Sequence, residues 1–246
     1  MSNPRPRGGD LRVLQVIVQP RENPDWPQAR ILVDGLDIFE AVAPGWVGFD
    51  PDQLLGGDSS PLVPGHQGRR VAVCRCSCGE AGCGVIAPII GLSANGKQVL
   101  WRDFRDFTGV FVDPISRYPQ VEQIPSRRWD VPDLRFDRDQ YRDTIAGAAQ
   151  DRSWETPQRQ TARLLTERLA PLGLVLPPDL PLDRAYPEWD GDGVMVRFGV
   201  EFEDGTVHYE ELRVVSTEHD PDQAARSMAS GLLDTPSGDW SKTFGV

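Results

Sequence analysis

Alternating apolar and polar residues mark two hairpins in this chain. Residues 194–202 alternate strictly, with five apolar side chains on one face, and an Asp-Gly turn joins them to a second strand at residues 207–215. Earlier, an apolar run at residues 85–92 is joined by an Asn-Gly turn to a strand at residues 98–104. The pattern predicts antiparallel pairing in both places.

The first hundred residues favour further strands rather than helices. Residues 11–19 and 30–42 are rich in β-branched residues, and Asp34-Gly35 divides the second run as a hairpin turn would. Residues 43–68 contain many prolines and glycines and have little periodicity, which predicts a long surface excursion. Residues 70–76 then read as another strand.

Three helices are predicted from capping residues and from apolar residues that recur with a period near 3.6 residues. Asp137, Thr156 and Asp220 each stand at the N-cap position, and proline follows directly after Thr156 and Asp220. The positions expected to face the core are Tyr141, Ile145 and Ala149 in the first helix, Ala162, Leu165, Leu169 and Leu172 in the second, and Ala224, Met228 and Leu232 in the third.

The order of these elements predicts an α+β protein. Residues 10–150 would form a mainly antiparallel sheet that carries a cysteine knuckle. Residues 151–246 would form a smaller helix-hairpin-helix unit. A chain of 246 residues is long enough to bury a core in each.

All the cysteines of the chain lie within ten residues, at Cys74, Cys76, Cys78 and Cys83. Thiols cluster this closely mainly to bind a metal or to carry out redox chemistry. On a flat strand, alternate Cα atoms lie ~6.5 Å apart, too far for three sulfurs to reach one zinc ion at ~2.3 Å each. Glycines at positions 79, 82 and 84 supply the backbone freedom to curl the segment. We therefore predict a structural zinc site on these four cysteines.

The fourth ligand and the metal itself have alternatives. Cys74 completes the site only if its strand bends early, and His66 or a residue from elsewhere could take its place. Without metal, Cys74 could be a small core residue, and Cys78 and Cys83 could form a redox-active disulfide. An iron–sulfur cluster fits the number of thiols, but the spacing matches neither common ferredoxin pattern.

The segment Cys76-x-Cys78-Gly-x-x-x-Cys83 resembles the post-SET zinc knuckle of histone lysine methyltransferases. In that family the three cysteines bind zinc together with a fourth cysteine from the catalytic domain. The resemblance implies the ligand role for these three residues. It does not extend to the activity, because the Asn-His and cofactor-binding motifs of the methyltransferases are absent from this sequence.

A longer stretch is similar to a group of uncharacterised bacterial proteins. The shared features are the order C-x-C-G-x-x-x-C-G, a Val99-Leu-Trp101 strand, a phenylalanine-rich strand and a helix that begins near residues 136–141. The resemblance implies a shared fold and no established activity.

The formal net charge is -11, and it is unevenly distributed. Between Asp183 and Asp222 there are twelve carboxylates and three arginines, a net charge of -9. This balance argues against nucleic acid as a partner. It is typical of a solvated acidic hairpin, and the alternative is a surface that docks a basic protein. No apolar stretch is long enough for a membrane span or a signal sequence, so we expect a cytoplasmic protein with no membrane partner.

Other candidate chemistry is less specific. Residues 101–107 place arginine–aspartate pairs between aromatic residues, which we interpret as an edge strand with paired surface charges. The four glutamates of the second hairpin, Glu201, Glu203, Glu210 and Glu211, are interpreted as solvated. The histidines are scattered and match no ligand motif.

These observations favour a non-enzymatic, soluble protein that uses a structural zinc knuckle and binds another macromolecule, a basic protein, in a regulatory or toxin-neutralising role. The alternative is a thiol-redox or metal-dependent enzyme that uses the cysteine cluster. A closed site with four protein ligands predicts an inert structural role, whereas three ligands and a water predict catalysis.

Overall fold

The computed structural model describes residues 10–56, 60–201 and 207–245. The chain divides into two compact units between Trp154 and Glu155, called unit 1 and unit 2 below. The sequence-based boundary after residue 150 falls within unit 1. Within the described residues there are five α-helices and twelve strands, all paired antiparallel, which confirms the α+β class.

The strands of unit 1 are β1 (Leu14–Gln19), β2 (Gln28–Val33), β3 (Arg69–Arg70), β4 (Cys74–Arg75), β5 (Val85–Leu92), β6 (Gln98–Asp106), β7 (Arg127–Arg128) and β8 (Leu134–Asp137), and its helices are α1 (Pro51–Leu55) and α2 (Arg138–Gln150). Unit 2 contains α3 (Pro157–Leu169), β9 (Val175–Leu176), β10 (Leu180–Pro187), β11 (Val194–Glu201), β12 (Val207–Val214), α4 (Pro221–Asp234) and α5 (Trp240–Phe244).

The centre of unit 1 is the predicted pair of β5 and β6. One edge of β5 pairs with β3 and β4, and the far edge of β6 pairs with β7 and β8. The interpretation of residues 101–107 as an edge strand is therefore wrong, because β6 has a neighbour on each side. Its Trp101 and Phe104 side chains are completely buried in the core of the unit.

A bulge interrupts the pairing of β5 with β6. Ala87 lies opposite Arg105, but Ile89 lies opposite Arg102, so β6 carries one extra residue there. Pro88, which has no N–H to donate, occupies this irregular position of β5, as expected for a proline inside a sheet. Asp103, on the bulged strand, has a positive φ of 52°.

The β1–β2 pair corrects a second expectation. Asp34 and Gly35 form a turn with positive φ at both residues, but no second strand follows it. Only Leu36 bridges back to Val33, and β2 pairs along its length with β1 instead. The predicted excursion at residues 43–68 contains α1, which the sequence pattern did not indicate.

Unit 2 is a four-stranded sheet in the order β12–β11–β10–β9. Helices α3 and α4 pack against each other, and α3 contacts β10 and β11. The predicted β11–β12 hairpin is confirmed, although Phe202 and its Asp204-Gly205 turn lie outside the described residues. The structure adds β9 and β10, which the sequence analysis treated as a proline-rich passage.

The predicted helix starts are confirmed by their cap hydrogen bonds. Asp137 and Asp220 each accept backbone N–H bonds from the second and third residues that follow, and Thr156 accepts one from Arg159. Leu172, expected to be buried, is 51% exposed because it lies beyond the end of α3. No helix of the described residues is long and apolar enough to cross a bilayer.

Candidate functional site

Residues 76–84, called the thiol loop below, follow β4 and return the chain to β5. The Cys76 N–H donates to the Gly84 carbonyl at 3.0 Å and closes the loop at its base. A turn follows in which the Gly79 N–H donates to the Cys76 carbonyl at 2.9 Å. Gly79 has a φ of 88°, a value that glycine adopts without strain. The predicted curling of the segment around its glycines is thus present.

The thiol loop is fixed to the core of unit 1 on its inner side. Ala81 is buried in that core, and the Gly109 N–H donates to the Gly82 carbonyl at 2.8 Å. A Cβ atom on Gly84 would lie 3.0 Å from the Trp46 ring and 3.1 Å from a carboxylate oxygen of Asp106. The loop therefore packs closely at its base and presents its remaining residues outward.

The four cysteines occupy two different environments. Cys74 is buried in the hydrophobic core, and its Sγ lies 3.4 Å from the Val47 carbonyl oxygen. Burial, with a smaller effect of Asp37, raises the pKa of the Cys74 thiol to about 12. Cys76 is half-buried at the base of the thiol loop, whereas Cys78 and Cys83 are exposed. Three of the predicted ligands thus lie on the thiol loop, whereas the thiol of Cys74 lies in the core.

His66 is also remote from the thiol loop. Its neighbour Gly65 bridges Gly91 near the end of β5, whereas the loop joins β5 at its first residue, Val85. Six residues of extended strand span roughly 20 Å. His66 therefore does not supply the fourth ligand in this structure.

Two arginines lie beside the thiol loop. A terminal nitrogen of Arg21 is 3.8 Å from the position that a Cβ of Gly79 would occupy. Arg75 directly precedes the loop, stacks 5.1 Å from the Phe49 ring centroid and donates to the Gly48 carbonyl. Burial lowers the pKa of the Arg75 guanidinium, which stays charged at neutral pH.

The described residues contain no group of three or more His, Cys, Asp or Glu side chains arranged to hold a metal ion. The thiol loop collects soft donors of the type that zinc prefers, but a closed site of all four cysteines is not assembled, since Cys74 is directed into the core. Zinc on this loop stays a prediction.

Unit 2 carries the excess negative charge. It contains 17 Asp and Glu residues against 8 Lys and Arg, whereas unit 1 contains 20 against 18. Most arginines of unit 2 are paired within it: Arg163 with Glu155 and Glu167, Arg168 and Arg226 with Asp222, Arg197 with Glu211, and Arg213 with Glu188 and Asp192. The surplus carboxylates are therefore left on the surface.

The hairpin glutamates differ from one another. Glu211 is not merely solvated, because it accepts hydrogen bonds from Arg197 and from the Tyr186 hydroxyl. Glu210 contacts the Ser241 hydroxyl at 3.3 Å. The side chains of Glu201 and Glu203 lie outside the described part. Sequence reasoning missed Tyr186 and Tyr209, which flank Arg197 at 5.1 and 4.6 Å on the sheet. The signal for Tyr209 was its place in the outward phase of β12 with Glu211 and Arg213, opposite to the buried Leu212 and Val214.

Comparison with models of protein families, with curated proteins and with solved structures finds no match for this chain.

Proposed function

We propose that this protein is a non-enzymatic binding protein whose partner is a basic protein. The observation that carries the proposal is the segregation of charge, with a net -9 on unit 2 and a net -2 on unit 1. Since the arginines of unit 2 are engaged by neighbouring carboxylates, the surplus acids present a negative field that attracts cations from solution. A regulatory or neutralising role fits such a surface.

The proposal is tested by neutralising exposed carboxylates for which the described residues supply no ion pair. Replacing Asp179, Asp190, Asp234 and Asp239 of unit 2 with asparagine removes four charges. We expect the affinity for an octa-arginine peptide at low salt to fall by about fivefold, since each exposed charge contributes a few tenths of a kcal/mol. Isothermal titration calorimetry of the full chain measures the change.

The matched control neutralises four exposed carboxylates of unit 1: Asp10, Glu22, Asp130 and Asp143. We expect less than half of the effect in that variant. Equal losses in the two variants would show that the peptide responds to total charge alone, and the acidic unit would then have no special role.

A structural zinc ion on the thiol loop, with a fourth ligand from elsewhere in the chain that closes the site, is the second part of the proposal. It is supported by the presence of Cys76, Cys78 and Cys83 on one loop whose base is closed by a backbone hydrogen bond. When bound, zinc would cross-link the cysteines of the loop and reduce its conformational freedom. The exposed thiols equally support the alternative of a thiol-redox enzyme, so the metal content decides between them.

We expect purified protein to contain about one zinc ion per chain. Cys78→Ser should lose the metal, whereas Cys74→Ala should keep it, because the Cys74 thiol lies in the core and not on the thiol loop. Elemental analysis and thiol titration measure both. Zinc-free protein in which Cys78 and Cys83 oxidise and re-reduce readily would instead favour the enzyme.

A further inference from the structure

Strand β12 forms a long outer edge of the sheet of unit 2. At one side it ends in β9, which has two residues, and at the other side it ends in the eight-residue β12. In an antiparallel pair, alternate N–H and C=O groups of the outer strand point away from its neighbour. Among the described residues, only Gly245 bridges this outer edge, at Leu212. The part of β12 that precedes Leu212 is therefore available for pairing.

The side chains of this open part are accessible. His208 is exposed and Tyr209 is 51% exposed, so both side chains are open to solvent beside this edge. The guanidinium of Arg197 lies 4.6 Å from the Tyr209 ring centroid, which shows that the aromatic ring is placed to interact with a cation. A neighbouring strand would bring its own side chains within reach of the same ring.

The charge along this edge is negative. Arg197 and Arg213 are engaged by Glu211 and Glu188, and Glu210 contacts only the Ser241 hydroxyl among the described residues. On an added strand, a residue directly opposite Glu210 would have its Cβ within about 5.5 Å, a distance at which opposite charges stabilise pairing and like charges oppose it. The edge thus selects for lysine or arginine.

We propose that the basic partner docks by adding an extended, arginine- or lysine-bearing segment to the outer edge of β12. Backbone hydrogen bonds to the strand supply affinity, and Glu210, on the face of β12 that carries Leu212, supplies the selection for a cation. This inference rests on the proposed function, since it takes the partner to be basic, and it adds the surface and the conformation of the bound segment.

The test uses the full chain, with a peptide of alternating arginine and valine as the probe and a peptide of alternating glutamate and valine as its control. We expect amide chemical shifts of Val207–Val214 to change on addition of the arginine peptide and not of the glutamate peptide. Glu210→Lys should weaken binding by about fivefold. Asp179→Lys, an equal charge reversal away from the edge, should have a smaller effect.

Because the shift map is recorded on the unaltered protein, it does not depend on the variants folding. Shift changes confined to other parts of unit 2 would overturn the edge site and leave the basic-partner proposal standing. Equal binding of the arginine and glutamate peptides at the β12 edge would overturn the selection for a cation. Absence of binding by the arginine peptide would overturn both proposals.

Discussion

At the scale of single residues, Arg70 is the clearest case of a role that only the fold defines. Its side chain is completely buried, and its Nη1 donates to the carbonyl oxygens of Ala87 and Asp103 at 2.8 and 2.6 Å. Glu122 accepts two further bonds, and the Asp103 carboxylate accepts one at 2.8 Å. The adjacent Arg69 has the same residue type but donates to the backbone carbonyls of Ser60, Pro61 and Val63 instead. Nothing local in the sequence distinguishes the two.

Asp103→Asn tests this network through its pH dependence. Burial raises the pKa of Asp103, but hydrogen bonds from Arg70 and Arg105 outweigh it and hold the pKa below its usual value. The carboxylate therefore stabilises the fold above the pKa of an unfolded aspartate, about 4, and this contribution is lost as pH falls through the lower folded pKa. Asparagine accepts the positive φ of this position, so the change removes mainly charge.

We expect Asp103→Asn to lower the free energy of unfolding by about 1–3 kcal/mol at pH 7, because a buried guanidinium loses a charged partner. The deficit should shrink as the pH approaches the folded pKa of the native carboxyl. Urea unfolding over a pH series measures it, with the exposed Asp130→Asn as control. A deficit that does not change with pH would rule out the charge as its source.

At the scale of elements, the sequence predicted those strands and helix starts that are set by neighbouring residues, such as an apolar run or a capping side chain. The bounds of β5 agree with the apolar run at residues 85–92, and the three helix caps are where the sequence places them. Strand β10 was missed because its prolines resemble a loop, and only its neighbours β9 and β11 make it a strand. The partner of β2 was also missed, since a turn at Asp34 predicts its own hairpin but cannot exclude pairing with an earlier strand.

In the thiol loop, too, features set by neighbouring residues were predicted, and features set by distant parts of the chain were not. The spacing of its cysteines and glycines predicted that Cys76, Cys78 and Cys83 would share a curled segment, which a local backbone pattern can specify. The position of Cys74 depended on the Val47 backbone beside β4, and the distance to His66 depended on the length of β5. Burial of Cys74 was one of the alternatives that the sequence left open, but spacing along the chain could not select it, nor could it give the distance to His66.

At the scale of the whole molecule, each unit has its own hydrophobic core. Ile86 is completely buried in the first core and Leu165 in the second. We expect Ile86→Ala and Leu165→Ala each to cost about 2–5 kcal/mol, since each leaves a cavity. Hydrogen exchange of the full chain should show reduced protection mainly in the unit that carries the substitution.

An exposed leucine, Leu172→Ala, is the matched control and should change protection in neither unit. If either core substitution reduces protection equally across the whole chain, the two compact units unfold as one cooperative block, and the division between Trp154 and Glu155 has no thermodynamic counterpart.

The bulge opposite Pro88 shifts the alternation of β6 side chains between the two faces of the sheet by one residue. Val99 and Trp101 face the core in alternation, but the next buried aromatic is Phe104, three positions after Trp101 and not two. The extra residue lets one strand send both rings to the same side, where their centroids lie 6.5 Å apart. An uninterrupted strand would turn Phe104 to the opposite face of the sheet. The extra residue therefore allows side chains from both halves of β6 to pack into the same core.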